Sequence, residues 1–362
     1  MRRDINVAII GGGRVALHHC RMLAQVSEVS IAAICELRED RGGPLAAKYD
    51  VPFFDNYHKM LSEVSDIDIV TIATPSGMHF EHAREIIELY DKNIVVEKPT
   101  FMRPEQMRDV YNLANKRGCK IFPVYQNRYN KAVRCVREAI EQRELGEIRM
   151  ASARVRWCRP QQYYDRDPWR GTWSHDGGAL TNQGVHYLDI LRHLGGEIKR
   201  VNATTVTQGV DVEVEDTAAA IFEFEAGGMG VVEITTAARP DDFEASVSIV
   251  GSKGLAVISG EATNQLITFS PDPAKCQINS EEFEIVYGYG HREMYRDIAR
   301  VLNKKDAPPV SFEDGMRTLI LLHGIYRSAE LGTWVELSEE NQSERLGQPD
   351  DSISALYHTP AP

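Results

Sequence analysis

The chain has no long apolar run, no paired cysteines and no excess of positive charge. Its 362 residues carry a formal net charge of -12, which argues against a nucleic-acid partner because that affinity depends on clustered positive charge. No apolar run approaches the length that spans a bilayer, and the run in MRRDINVAII is too short for a secretory signal. The six cysteines are scattered without C-x-x-C pairs, so we expect a cytoplasmic protein without a metal site or membrane partner.

The sequence divides into two regions that differ in their hydrophobic pattern. Residues 5 to 124 alternate apolar runs such as INVAII, IAAIC and NIVVEK with helical patterns, which predicts an α/β domain with a parallel sheet covered on both faces. Beyond about residue 145, alternating strands such as RMASARVRW and TAAAIFEFE predict a large, mostly antiparallel open sheet in an α+β domain. We place the domains at residues 1–125 and 126–340, followed by a polar tail at 341–362.

A glycine-rich loop directly follows the first predicted strand. Gly11, Gly13 and Ala16 form G-x-G-x-x-A between NVAII and a helix, which is typical of a Rossmann dinucleotide site. The glycines permit a tight turn and a close approach to a pyrophosphate at the helix N-terminus. The next strand ends at Glu36, where a carboxylate should bind the adenosine ribose and repel a 2'-phosphate. We therefore predict NAD as the cofactor, with Arg38 keeping NADP as a less favoured alternative.

Further cofactor contacts are expected at the ends of the other strands, because ligands of open α/β sheets bind at the carboxyl edge. His79 could equally serve only to begin a helix. With the glycines and Glu36, the predicted cofactor residues are Arg14, Val15, Thr74, Pro75, Ser76, His79, Glu97, Lys98 and Gln126.

The segment NIVVEKPTF places charges at the end of a buried strand. Burying the charges of Glu97 and Lys98 there costs free energy unless the two groups take part in function or pair with opposite charges. Pro99 restrains Lys98 to an extended backbone. A partly desolvated lysine near an oxidised nicotinamide has a lowered pKa and can exchange a hydroxyl proton as hydride moves. A structural Glu–Lys pair is the alternative, but the upstream glycine loop favours the catalytic interpretation.

A second group of candidates lies in GGALTNQGVHYLD. Asn182, His186 and Asp189 recur at four and three residues and so share one face of a predicted helix. His186 can relay a proton, and Asp189 could fix its tautomer or cap local backbone groups. Asn182 can orient a substrate hydroxyl but cannot be a base. The alternative is a polar helix start packed by its apolar neighbours.

The remaining candidates are aromatic or cationic. The rings of Tyr163, Tyr164, Trp169 and Trp173 suit the apolar faces of sugars or a uracil base, or else an oligomer interface. Arg128 or Arg159 could clamp a carboxylate or phosphate, and His291 lies at a glycine-rich helix start that could bind an anion. The predicted substrate residues are Lys98, Asn127, Arg128, Tyr164, Trp169, Trp173, Asn182, Gln183, His186 and His291.

Taken together, AIIGGGRVA, ATPSGMH, EKP and GGALTNQGVHYLD resemble the glucose-fructose oxidoreductase and inositol dehydrogenase family (Gfo/Idh/MocA) over nearly the whole chain. The resemblance implies a Rossmann domain, a second domain for substrate binding and oligomerisation, and the EKP lysine as acid/base. The position of Asn182 is often an aspartate in that family. We therefore expect Lys98 and His186 to be the acid/base residues.

The resemblance also implies a reaction, namely NAD-dependent oxidation of a secondary alcohol on a small-molecule sugar or nucleotide-sugar. The chain looks most like 3-dehydrogenases of UDP-N-acetylglucosamine or its uronate. An inositol or free-hexose dehydrogenase, a non-catalytic NAD(P)-binding sensor, and a glycosidase or dehydratase that uses NAD transiently stay open as alternatives. A homodimer or homotetramer is expected from the resemblance.

Overall fold

A computed structural model describes residues 4–285, 287–304 and 306–360 and divides the chain into two compact units. The first unit runs to Val124 and also contains His291–Met316 and the residues from Pro349. The second unit comprises Tyr125–Gly290 and Arg317–Gln348. Residues 1–3 of the predicted first domain, and 361 and 362 of the predicted tail, lie outside the described residues.

The first unit contains a parallel sheet, as predicted, and this sheet has six strands. Its strands are β1 (Ile5–Ile10), β2 (Val29–Cys35), β3 (Phe53–Phe54), β4 (Ile69–Ile72), β5 (Asn93–Val96) and β6 (Ile121–Pro123). Their order is β3-β2-β1-β4-β5-β6, so the direction of winding reverses between β1 and β4. In open α/β sheets this reversal marks the crevice where ligands bind.

Helices connect these strands because the strands are mostly apolar and need cover on both faces. They are α1 (Arg14–Leu23), α2 (Glu39–Tyr49), α3 (Tyr57–Glu63), α4 (His79–Tyr90) and α5 (Pro104–Arg117). The core strands β4 and β5 are almost wholly buried. The polar residues that follow them therefore mark the edge of the sheet.

The second unit contains an eight-stranded sheet in the order β13-β12-β11-β7-β10-β9-β8-β14. All neighbouring strands are antiparallel except β7 and β10, so the predicted, mostly antiparallel sheet is confirmed. The strands are β7 (Ile148–Arg156), β8 (Ile198–Val206), β9 (Thr217–Phe224), β10 (Met229–Thr235), β11 (Glu244–Gly251), β12 (Leu255–Ser259), β13 (Gln265–Phe269) and β14 (Val335–Glu336).

The two faces of this sheet differ because side chains alternate along each strand. Ala151, Ala153 and Val155 of β7 are buried, and α8 packs against β7. On the other face, Arg154 and Arg156 form ion pairs with Glu233 of β10. The clustered arginines of this segment are thus part of cross-strand charge pairs.

The helices that follow β6 are divided between the two units. They are α6 (Lys131–Glu141), α7 (Gln161–Tyr164), α8 (Val185–Gly195), α9 (Lys275–Ile278), α10 (Gly290–Lys304), α11 (Phe312–Leu331) and α12 (Asp351–Ser354). Helix α10 brings the chain back to the first unit from His291 onward. No helix among the described residues has both the length and the apolar character needed to cross a membrane.

The polar tail is divided between the units: it belongs to the second unit up to Gln348 and to the first unit from Pro349 onward. His358 Nδ1 lies 2.8 Å from Glu81 Oε1, and Asn56 Nδ2 donates to the carbonyl oxygen of Pro360 at 3.2 Å. Thr359 is buried. The tail thus contributes contacts to α3 and α4 rather than only covering the surface with polar groups.

Candidate functional site

The glycine loop joins β1 to α1 with a conformation that requires glycine. Gly11 has φ +112°, and a Cβ added there would lie 2.5 Å from the carbonyl oxygen of Ala73. Gly13 is the N-cap of α1, and a Cβ added to it would meet nothing within 4 Å. The first-turn N–H groups of α1 therefore receive no cap from residue 13 and suit a pyrophosphate.

Glu36 lies beside this loop at the end of β2. Its Oε2 accepts a hydrogen bond from the N–H of Gly12 at 2.5 Å, and its Oε1 accepts one from the N–H of Arg38 at 3.1 Å. The guanidinium of Arg38, on which the NADP alternative rests, forms an exposed ion pair with Asp40 at 2.8 Å. The arrangement fits a dinucleotide whose ribose hydroxyls bind the carboxylate.

His79 connects the ends of β4 and β5. It begins α4 and is buried, with Nδ1 2.9 Å from the carbonyl oxygen of Pro99 and Nε2 3.1 Å from that of Thr74. Burial lowers the pKa of His79, so the ring is neutral and its one N–H donates to one of the two carbonyls. Both nitrogens face the protein, so the structure assigns His79 to positioning the loops rather than to direct cofactor contact.

Glu97 is also turned into the protein. Its Oε1 lies 3.0 Å from His19 Nε2 and 3.4 Å from His291 Nε2, while its Oε2 accepts the backbone N–H of Lys98 at 3.0 Å. His291 is buried with 0% exposure, which corrects the prediction of an open anion or substrate site there. Lys98 itself is half-buried at the end of β5.

In the second unit, Arg128 forms an ion pair with Asp189. Its Nε and Nη2 donate to the two carboxylate oxygens of Asp189 at 2.7 and 2.5 Å. Asp189 was expected either to fix the tautomer of His186 or to cap local backbone groups, and Arg128 or Arg159 to clamp a ligand. The structure instead pairs Arg128 with Asp189, because two opposite buried charges compensate one another where each alone would be costly.

The segment 179–195 carries the predicted polar residues. Residues 179–184 form a π-helical turn that continues into α8. Within residues 181–190, only Asn182, Gln183 and His186 are half-exposed, and the others are buried. These three therefore form the accessible polar side of the segment.

Each of these side chains is oriented by a neighbour in the same unit. Asn182 Nδ2 donates to Asp176 Oδ1, and Gln183 Nε2 donates to the hydroxyl of Tyr163 at 3.1 Å. The side-chain amide nitrogen of Gln126 lies 3.4 Å from His186 Nε2. Gln126 and Asn127 are themselves buried.

The predicted aromatic residues separate into two kinds. Tyr164 is buried, with its hydroxyl 3.1 Å from Thr236 Oγ1, which corrects its assignment as a substrate contact. Trp169 and Trp173 are half-exposed. The guanidinium of Arg170 lies 4.6 Å from the Trp169 ring centroid, and Trp173 packs edge-on against Tyr326. These two rings stay candidates for substrate contact.

Glu215 is a buried carboxylate that the sequence analysis did not single out. Its Oε1 accepts from the N–H of Leu180 at 2.8 Å and from the hydroxyl of Tyr326 at 2.9 Å. Its backbone oxygen accepts from the N–H of Ala179 at 3.0 Å. Glu215 thus caps the π-helical turn that carries Asn182. The surrounding VEVEDT resembles an exposed acidic stretch, so no local signal marks this residue.

We expect Glu215→Gln to flatten the pH dependence of stability. Burial raises the pKa of Glu215 to about 8 despite the hydrogen bonds that favour the carboxylate. From about pH 5 to 8 the folded chain retains a proton that the unfolded chain has lost. Stability therefore falls as pH rises, by up to about 1.4 kcal/mol per pH unit. Denaturant unfolding at pH 5 to 8 should show a smaller slope in the variant, and equal slopes would contradict a protonated Glu215.

Comparisons with known proteins agree with this architecture. The oxidoreductase family with an NAD-binding Rossmann fold (GFO_IDH_MocA) matches residues 5–125, and the Gfo/Idh/MocA C-terminal domain matches residues 133–257. The WlbA dehydrogenase from Bordetella pertussis, solved with NADH and UDP-GlcNAcA, is 33% identical with a TM-score of 0.88. That alignment covers 93% of this chain and 98% of the other.

Two further relatives align with a similarly large share of this chain. The WlbA dehydrogenase from Chromobacterium violaceum is 31% identical with a TM-score of 0.86 and covers 93% of this chain and 96% of its own. The D-glucoside 3-dehydrogenase of Escherichia coli (strain K12) is 27% identical over 92% of this chain and 97% of its own. The predictions of an enzyme and of NAD as its cofactor are confirmed. The chain belongs to the Gfo/Idh/MocA family of NAD-binding oxidoreductases.

Proposed function

We propose that this protein oxidises a secondary alcohol of a nucleotide-sugar, at C3 of UDP-N-acetylglucosamine or its uronate. The observation that carries the proposal is the similarity to two WlbA dehydrogenases, 33% and 31% identical over 93% of this chain, both solved with NADH and UDP-GlcNAcA. The 27% identical D-glucoside 3-dehydrogenase supports the 3-position.

Lys98 is the residue we assign to proton transfer. It follows β5 in the same unit as the glycine loop, and its backbone N–H is held by Glu97. NAD, when bound, supplies the hydride acceptor, and Gly11, Gly13 and Glu36 are the residues proposed to hold it. As a neutral amine, Lys98 takes the proton of the substrate hydroxyl. In the reverse direction its ammonium returns that proton.

In the second unit, we assign Asn182, Gln183 and His186 to the substrate because they are the half-exposed polar residues of their segment. His186 is proposed as an assisting acid/base because imidazole titrates near neutral pH. Asn182 has no titratable group, so its proposed role is to orient a hydroxyl. Trp169 and Trp173 are proposed to stack on the sugar or the base.

A dehydrogenase of a sugar without a nucleotide is the second candidate. It is favoured by the similarity to D-glucoside 3-dehydrogenase and by 24% identity over 93% of this chain to the levoglucosan dehydrogenase of Pseudarthrobacter phenanthrenivorans. A non-catalytic sensor is less favoured because both Lys98 and His186 are retained.

A substrate panel separates these candidates. Purified protein is incubated with NAD or NADP and with UDP-N-acetylglucosamine, its uronate, free N-acetylglucosamine, glucosides or inositols, and reduced nicotinamide is followed by absorbance. We expect the highest kcat/KM with NAD and a UDP-sugar, and a 3-keto product by NMR. Equal rates with UDP-sugars and free sugars would contradict the nucleotide-sugar proposal.

A further inference from the structure

A buried carboxylate contacts one of the proposed substrate residues in the second unit. Asp176 is 1% exposed and lies shortly before the π-helical turn of residues 179–184. Its Oδ1 accepts a hydrogen bond from Asn182 Nδ2. Its Oδ2 accepts one from the backbone N–H of Gly171 at 2.7 Å. One side chain thus joins Asn182 to the loop that precedes the turn.

The loop that Asp176 closes also carries the two tryptophans of the candidate site. The backbone N–H groups of Asp176 and Gly177 both donate to the carbonyl oxygen of Thr172, at 3.1 and 2.8 Å. The hydroxyl of Thr172 donates to the carbonyl oxygen of Trp169 at 2.7 Å. Trp173 lies between these bonded residues. The carboxylate of Asp176 therefore has a fixed position, set by its own loop, from which it contacts the next segment.

This carboxylate decides which way the side-chain amide of Asn182 faces. A carboxylate only accepts hydrogen bonds, whereas a primary amide has one donating end and one accepting end. The Nδ2 end of Asn182 must therefore face Asp176, and the Oδ1 end faces away from it. Gln183 Nε2 lies 3.4 Å from Asn182 Oδ1 and donates to it, which agrees with this orientation. The direction of the Asn182 amide thus follows from the carboxylate of Asp176.

We propose that Asp176 is a positioning residue that fixes the amide of Asn182, so that Asn182 Oδ1 accepts a hydrogen bond from a hydroxyl of the substrate. This inference rests on the proposed function, in which the half-exposed Asn182 orients a hydroxyl. That hydroxyl is not the one that is oxidised, because the latter gives its proton to Lys98. Asp176 is buried and touches neither cofactor nor substrate in this scheme. The site then selects a substrate that presents a hydrogen-bond donor to residue 182.

Asp176→Asn reverses this direction and still keeps the hydrogen bonds of residue 176. A buried backbone N–H without an acceptor costs free energy, so the oxygen of the new amide faces the N–H of Gly171. Its NH2 group then faces residue 182. Asn182 must turn its oxygen toward that group and its own NH2 group toward the substrate. We therefore expect a folded protein in which residue 182 presents a donor instead of an acceptor.

A second substitution restores the original direction. In the exchange variant, Asp176→Asn is combined with Asn182→Asp, so the NH2 group of the new amide donates to a carboxylate at residue 182. The other oxygen of that carboxylate again offers an acceptor to the substrate. Asn182→Asp alone places two carboxylates against each other and should lower the thermal midpoint, since like charges in a buried site repel. The exchange variant should recover that midpoint.

The main experiment measures kcat/KM for wild type, Asp176→Asn and the exchange variant, with saturating NAD and the best substrate of the panel. We expect Asp176→Asn to lower kcat/KM by about tenfold or more, because the hydrogen bond to the substrate hydroxyl is lost. We expect the exchange variant to return to within about threefold of wild type. Asp165→Asn, which changes an exposed carboxylate bonded to Gln161, is the matched control and should leave kcat/KM unchanged.

Thermal midpoints separate a loss of fold from a loss of direction. Asp176→Asn should unfold within about 3 °C of wild type, because it keeps its hydrogen bonds. Unchanged kcat/KM in folded Asp176→Asn would overturn the inference, and so would a loss that the exchange variant does not recover. If Asp176→Asn does not fold, the exchange variant alone decides, and a folded exchange variant with kcat/KM more than about tenfold below wild type contradicts the inference.

Turnover of the wild type distinguishes this inference from the proposed function. If the wild type oxidises no member of the panel, the proposed function fails and the inference fails with it. If the wild type is active and Asp176→Asn is equally active, only the inference is refuted.

Discussion

Lys98→Met is expected to lower kcat by about 10³-fold or more, because the variant has no amine to take the hydroxyl proton. Methionine has nearly the same length and fits the same half-buried environment, so the fold should persist. The rate is measured from reduced-nicotinamide absorbance in single turnovers, with the best substrate of the panel. NAD binding, followed by calorimetry, should change little because the glycine loop and Glu36 are untouched.

Lys116→Met provides the matched control for this change. Lys116 is exposed in the last turn of α5, so its replacement removes a lysine without affecting the carboxyl edge of β5. We expect wild-type turnover in that variant. Normal turnover of Lys98→Met would remove Lys98 from the mechanism and would shift attention to His186.

Asp189→Asn is expected to lower the free energy of unfolding by about 3 kcal/mol or more. The Arg128 side chain is 10% exposed and that of Asp189 is 2% exposed, so the variant leaves a buried guanidinium without its counterion. Thr318 Oγ1 also donates to Asp189 at 3.0 Å. Asp189 lies on α8, which also carries His186 and continues from the turn that carries Asn182. The variant should therefore weaken the support of both His186 and Asn182. Denaturant unfolding and the thermal midpoint measure the effect.

Two controls identify the cause of that loss. Glu141→Gln breaks an exposed ion pair with Arg137 on α6 and should change stability by less than about 0.5 kcal/mol. The double variant Arg128→Met with Asp189→Leu removes both buried charges and should recover most of the lost stability. If Asp189→Asn were as stable as wild type, the pair would not be the support that its geometry indicates.

Most of the first unit could be predicted from sequence because its signals are local. The apolar strands, the glycine loop and the acidic end of β2 all follow one another within a short stretch of chain. The two-residue strand β3 (Phe53–Phe54) was not predicted, since two residues have no periodicity. The return of α10 to the first unit was also not predicted, because the pattern of α10 identifies a helix but not its packing partner.

The sequence indicated which residue types lie at the candidate site, but not which partners their side chains contact. His79, Tyr164, Arg128 and His291 were predicted as ligand contacts from residue type and proximity in sequence. Their partners in the structure are the Pro99 carbonyl, Thr236, Asp189 and Glu97. Arg128 and His291 meet partners about 60 and 194 residues away in the chain, a separation at which no sequence pattern indicates contact. The polar candidates that are half-exposed on their segment are Asn182, Gln183 and His186.

The sequence by itself determined the parallel sheet, the glycine loop, the mostly antiparallel second sheet and the cofactor class, because each depends on periodicity or on a backbone conformation that only glycine allows. Only the tertiary structure decided which polar groups are buried and with whom they pair. Hydrogen bonds from two buried histidines lower the pKa of Glu97, and burial raises the pKa of Glu215 to about 8. Both shifts depend on desolvation and on hydrogen bonds from distant segments, which exist only after the chain has folded.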